Sequence, residues 1–199
     1  MTEAEWLACA DPVAMVAFAR RRPRATARVW RLFLAAFWGW QSKRLPDREQ
    51  QDRLRQRVEL IEQWAETGRK PAGVTVTDQT NVVFFSRSAA QAAASTAVAP
   101  GPWGKDGEAA TAAQPVFLRE LFGPRPLRPT AAEPEWLTST VVALARGIYD
   151  EKAFDRMPYL ADALQDAGCE DDSVLSHCRD AKHVHVRGCW VLDLMLGKA

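Results

Sequence analysis

The chain has 199 residues, 47% of them hydrophobic, 26% charged and 9% aromatic, enough for one domain or two small lobes with an ordinary core. This composition excludes collagen-like, wholly disordered and disulfide-scaffold chains. Twenty-six basic against 25 acidic side chains leave a net charge of +1, so no global field draws in nucleic acid or anionic lipid.

The N-terminal part reads as three helices. Thr2 and Glu5 form a capping-box pattern ahead of an apolar stretch over 3–21, which Pro12, preceded by Asp11, divides and Pro23 ends. Residues 24–42 carry Val29, Leu32, Phe33, Ala36, Phe37 and Trp40 on one helical face, while Trp30, Leu34 and Trp38 lie off it. A helix apolar almost all round is either central or binds something. Pro46 and Asp47 open a third helix to Thr67, with Leu54, Val58, Ile61 and Trp64 facing inward and Gly68 as its stop.

The middle of the chain reads in two ways. Residues 73–85 are rich in β-branched and aromatic types and suit a short hairpin, whereas the alanine-rich run behind them favours a helix over 80–98. Residues 99–114, rich in Pro, Gly and Ala, read as a linker or loop. From Pro115 onward, FLRELFG predicts a short helix stopped by Gly123, and Pro134 opens a helix to Asp150 with Trp136, Val141, Leu144 and Ile148 inward. Further helices carry Leu160, Leu164 and Ala167, cover 171–178, and run from Arg187 through Trp190 and Leu194 to Gly197. The expected fold is mainly α and bundle-like, with an N-terminal lobe over 1–98, a linker over 99–114 and a C-terminal lobe over 115–199. The two lobes can equally pack as one domain.

Compartment follows from what the sequence carries. The opening MTEAEWLACADP puts Glu3 and Glu5 where a secretory signal needs basic and then apolar residues. The longest apolar stretch, Val29 to Trp40, is interrupted by Arg31 and is too short to span a bilayer. Four cysteines do not make a disulfide framework at this length. The expectation is a cytoplasmic protein with reduced thiols and no membrane association.

The strings WLT, IYDEKAFDRMP, LADALQDAGC and HVRGCWVLDLMLGK, with the opening MTEAEWLACADPVAMVAF, resemble a paralogue-rich family of uncharacterised bacterial proteins abundant in planctomycetes. The match spans residues 1–40 and 116–198. After Arg24 the family usually shows a cysteine-containing helix where this chain has RLFLAAFWGWQ, and residues 70–114 match poorly. The resemblance supports the domain reading and implies no activity, ligand or catalytic residue.

Two constellations could carry chemistry. All three histidines and three of the four cysteines fall near the C-terminus: Cys169, His177, Cys178, His183, His185 and Cys189. A tetrahedral zinc site needs four N or S donors and this stretch offers six, although no CxxC knuckle preorganises a pair. The alternative is that Cys169 and Cys189 are small buried residues near helix ends, and that His177 sits favourably at a helix C-terminus. A cysteine nucleophile with a histidine base would draw on the same residues, but no local signature of such an enzyme surrounds them.

The second constellation is the Arg/Trp segment, in which Arg24, Arg28, Arg31, Trp30 and Trp38 could bind a partner. Arginines interleaved with tryptophans can hold phosphates and stack bases. Residues 20–57 hold twelve Arg or Lys against three acids, and residues 129–180 hold eleven acids against four bases. Complementary docking of the two lobes, or simple solvation of both charged faces, accounts for that asymmetry better than a nucleic-acid footprint does. No phosphate-binding glycine loop, nucleophile elbow, HExxH or dinucleotide fingerprint is present. The reading from sequence is a non-catalytic helical module for protein interaction or self-association, without a cofactor. A metal-stabilised (zinc) or nucleic-acid-binding regulatory protein is the alternative.

Overall fold

The computed structural model describes residues 1–72, 89–98, 107–124 and 131–198. These residues are all-α, as the periodicity predicts: ten α-helices packed as a bundle, with no strand among the described residues. Local chemistry sets the helix starts. Thr2 closes a capping box with Glu5 on α1 (Glu3–Ala8), and Asp11 caps α2 (Pro12–Ala19) through the Val13 N–H. Thr26 caps α3 (Ala27–Ser42) and Asp47 caps α4 (Arg48–Thr67). After α5 (Ala89–Val98) and α6 (Gly107–Phe122), the C-terminal helices are α7 (Ser139–Glu151), α8 (Met157–Asp166), α9 (Asp172–Arg179) and α10 (Trp190–Met195).

Two hydrophobic cores divide these helices. In the first, α3 packs against α4, α5 and α6, and its Trp30, Phe33, Leu34 and Phe37 are fully buried with Trp6 of α1 and Ile61 of α4. The second is built by α7 to α10 around Ile148, Leu160, Leu164, Val174 and Trp190. The boundary lies after Phe122. Helix α6 occupies the second half of the segment read as a linker, because its Phe117, Leu118, Leu121 and Phe122 bury against the first core. The hairpin expected over 73–85, the helix over 80–88 and residues 99–106 lie outside the described residues. The helix expected from Pro134 is shorter: Pro134–Trp136 form one 3₁₀ turn, and Thr138 caps a new helix by accepting from the Val141 N–H at 3.3 Å.

The cores meet along a polar and apolar seam. Arg24 and Arg28 reach from the start of α3 to the fully buried Asp193 of α10 at 2.8 and 2.7 Å. Arg28 also pairs with Glu66, which accepts from Lys198 near the chain end at 2.6 Å. Gly188 adopts φ +90, and a Cβ there would come within 2.7 Å of Leu32 and 2.8 Å of Leu121. Only glycine lets the backbone ahead of α10 come this close to α3 and α6. Among the described residues no helix is long and apolar enough to cross a membrane.

Candidate metal centre

The seam also gathers a group of N, O and S donors. Glu120 sits on the inward face of α6, three residues after the buried Phe117, and is itself fully buried. His177 lies in the last turn of α9, His183 and His185 on the loop that follows, and Cys189 at the N-cap of α10. The Gly188 backbone holds that loop against α6, which brings the four residues to the carboxylate.

The distances are short and mutual. His177 Nε2 lies 3.2 Å from Cys189 Sγ and 3.3 Å from Glu120 Oε2. His185 Nδ1 lies 3.3 Å from Glu120 Oε1 and 4.0 Å from Cys189 Sγ. One donor atom from each of Glu120, His177, His185 and Cys189 falls within 4.8 Å of all the others. Zinc bonds of about 2.0–2.3 Å to N, O and S in a tetrahedron place neighbouring donors about 3.3–3.8 Å apart. The closest donor pairs already stand at 3.2–3.3 Å, and the wider ones, up to 4.8 Å apart, have to draw in by about 1 Å to close a four-coordinate site.

Two contacts steady the carboxylate from outside this set. His183 Nε2 approaches Glu120 Oε2 at 2.8 Å, and the Val186 N–H donates to Oε1 at 3.2 Å. The outer bonds of a ligand carboxylate orient it in this way. Burial would raise the Glu120 pKa, but the bonds from His183 and His185 outweigh it and hold the carboxyl at about 2. Burial pushes His177 down to about 4, and it pushes the Cys189 thiol well above the ordinary range. At neutral pH a carboxylate, a neutral imidazole and a neutral thiol thus share one dry space. The hydrogen bond to Glu120 raises His183, which is the most exposed of the three imidazoles at 24%.

Of the six residues singled out in the sequence, the structure unites His177, His183, His185 and Cys189. Cys169 and Cys178 are buried apolar members of the second core, outside the four-donor group. Burial raises the Cys178 thiol to about 12 and leaves it an inert hydrophobe. Glu120 was missed, yet it carried a signal: an acid at i+3 from Phe117 in FLRELF faces the core.

The Arg/Trp segment is placed differently from the partner-binding expectation. Trp30 and Trp38 are buried in the first core. Arg24 and Arg28 hold Asp193, and the Arg31 guanidinium lies 3.9 Å over the Trp64 ring. These side chains serve the interior because α3 is the central helix.

Two cavities approach the donor group from opposite charge environments. One, of about 350 Å³, is lined by His183, His185, Cys178, Phe154, Asp155 and Asp180. The other, of about 470 Å³, runs between α3, α4 and the 184–187 loop and reaches His185 past Lys43, Arg55, Lys152 and Arg187, with Glu62 its acid. The fold and site define an all-α protein with a candidate Glu/His/Cys metal centre. No protein-family model, curated protein or solved structure matches this chain.

Proposed function

We propose that this chain is a non-catalytic, metal-stabilised helical module whose C-terminal donor group holds a zinc ion. The observation that carries this reading is the convergence of Glu120, His177, His185 and Cys189 within 4.8 Å, drawn from α6, α9, the following loop and α10. An ion there ties the first core to the second through Glu120. Two imidazoles, a thiolate and a carboxylate suit zinc, and a set of four protein donors is closed, as in structural sites. The burial of all four agrees: the side chains of Glu120 and Cys189 are inaccessible, and His185 and His177 are 5% and 9% exposed. A cation also offsets the Glu120 charge, which otherwise depends on hydrogen bonds from His183, His185 and the Val186 N–H.

A nucleic-acid role has less support, because Arg24 and Arg28 already hold Asp193. Metal analysis of protein purified without chelator tests the zinc reading, followed by competition titration of the stripped chain. One equivalent of zinc, lost together in Cys189→Ser and His185→Ala, is expected. Binding displaces the Cys189 thiol proton, so zinc addition in weak buffer should release acid. A folded wild type that takes up no zinc at neutral pH overturns the proposal.

A further inference from the structure

We infer that the folded protein loads and releases its metal through the pocket between the Phe154 turn and the loop after α9, with His183 as the transfer ligand. This rests on the zinc reading above and adds how the site exchanges its ion.

The geometry separates His183 from the other donors. Glu120 and Cys189 are inaccessible and His177 and His185 nearly so, whereas the His183 side chain is 24% exposed and lines the pocket wall. Its Nε2 is already 2.8 Å from Glu120 Oε2, and its ring centre is 4.6 Å from that of His177 and 4.9 Å from that of His185. An ion taken by His183 at the pocket floor is therefore one short step from Glu120, and Glu120 is within 3.3 Å of both other imidazoles. His183 then returns to the Glu120 carboxylate as its outer partner. The step exchanges nitrogen for oxygen as ligand. His183 takes the ion as a neutral imidazole, its Nε2 proton passing to Nδ1 or to solvent and returning when it rebinds Glu120, so no co-reactant is needed. The Cys189 proton leaves to solvent as the thiolate binds.

Charge selects between the two openings that reach His185. The pocket beside His183 carries Asp155 and Asp180 and no lysine or arginine in its lining. Of the cations on its flanks, Arg156 pairs with Glu151, Arg179 binds Asp162 and Gln165, and Lys182 stands exposed next to His183. The opposite groove presents Lys43, Arg55, Lys152 and Arg187; Arg55 meets Asp52 at 3.5 Å and Lys152 pairs with Glu62 at 2.6 Å, which leaves the opening net positive. A divalent cation is drawn to the first opening and repelled from the second.

Stopped-flow transfer of zinc between the full chain and the chromophoric chelator pyridylazoresorcinol, followed in both directions, tests this. His183→Ala should slow loading and unloading together, by a larger factor than it changes equilibrium affinity. The double variant Asp155→Asn with Asp180→Asn, in which the amide oxygen introduced at position 180 can still accept from the Lys182 N–H, should lower the loading rate about tenfold at low salt and flatten its salt dependence. Arg55→Glu in the opposite groove should leave loading unchanged. Loading that is insensitive to His183 and to both acids, or that Arg55→Glu accelerates, overturns the route. Loading no faster than global unfolding overturns it too. A wild type that binds no zinc at all removes the metal reading itself, a distinct failure.

Discussion

The two cores differ in what holds them. Among the described residues the first has eight buried aromatic side chains, from Trp6 to Phe122, and two long helices, α3 and α4, which pack along much of their length. The second has Tyr149 and Trp190 as its buried aromatics among the described residues, and its helices run from six to thirteen residues. Burial of apolar area explains the first by itself. Short helices nucleate poorly and depend on tertiary contacts. The second core therefore depends on its seam, where a fully buried Asp193, the Glu120 group and Trp190 all touch elements of the first. Among the described residues the two buried carboxylates, Glu120 and Asp193, both lie at this seam.

That contrast can be broken most severely at Asp193. Asp193→Ala removes the carboxylate that Arg24 and Arg28 share at a largely buried seam, leaving Arg24 the Leu121 carbonyl and Arg28 its pairing with Glu66. It should cost about 3–5 kcal/mol in chemical denaturation, as expected when one partner of a buried pair is removed. Trp190→Ala should cost about as much, 3–5 kcal/mol, through cavity formation beneath α10 and loss of its contact with the Gly123 turn. If either variant melts like wild type, the second core does not depend on the seam.

Gly188→Ala comes next. The left-handed backbone and the approach of Leu32 and Leu121 should together cost about 2–4 kcal/mol. Because Gly188 precedes Cys189, the same variant should weaken zinc uptake, while Gly68→Ala, whose Cβ would meet nothing within 4 Å, should leave uptake intact. Equal zinc affinity in both variants would separate the seam from the site.

Zinc should sharpen the contrast by stabilising the seam. At free zinc a hundredfold above Kd the gain is about 2.7 kcal/mol. That raises Tm by about 5–10 °C for a chain of this size. Differential scanning calorimetry with zinc and with chelator measures it, and identical melts would show that the site contributes nothing to the fold.

The smallest expected effect is the acid response of the metal-free protein. His177 sits at about 4, below its ordinary 6.5, so the folded state binds fewer protons than the unfolded chain across that interval. Stability should therefore fall as pH drops from about 6.5 to about 4. Glu120 at about 2, below its ordinary 4.5, contributes above 4.5 and loses that contribution as pH falls toward 2. His183, raised by Glu120, contributes below its ordinary value and loses that part as pH rises through its folded value. Denaturant melts of chelated protein should thus lose stability as pH falls from about 6.5 to about 4, and that slope should shallow in His177→Gln. A His177→Gln slope equal to that of wild type would show that His177 is not the buried neutral group.

Much of the architecture was legible in the sequence because it rests on local chemistry. Thr2, Asp11, Thr26, Asp47 and Asp171 are side-chain caps with partners two or three residues away, and the Leu54, Val58, Ile61, Trp64 stripe of α4 is a periodicity. The class of fold followed from such features. The extent of α6 did not, because Gly107 and Pro115 argue against a continuous helix and burial against α2 and α3 overrides that propensity. The closeness of His177, His183, His185 and Cys189 was suggested by their nearness along the chain.

Tertiary structure alone decided the rest. Which cysteine joins the histidines depends on whether its residue faces the seam, as Cys189 does at the N-cap of α10, or the second core, as Cys169 and Cys178 do. Glu120 is fifty-seven residues from the nearest of its histidine partners, and no spacing rule reaches across that distance. Arg24 and Arg28 looked like groups available to a ligand until Asp193 came to lie beside them. Periodicity and capping act over a few residues and are written in the order of the chain. The pairing of buried charges depends on which surfaces meet, and that is fixed only when the two cores close on one another.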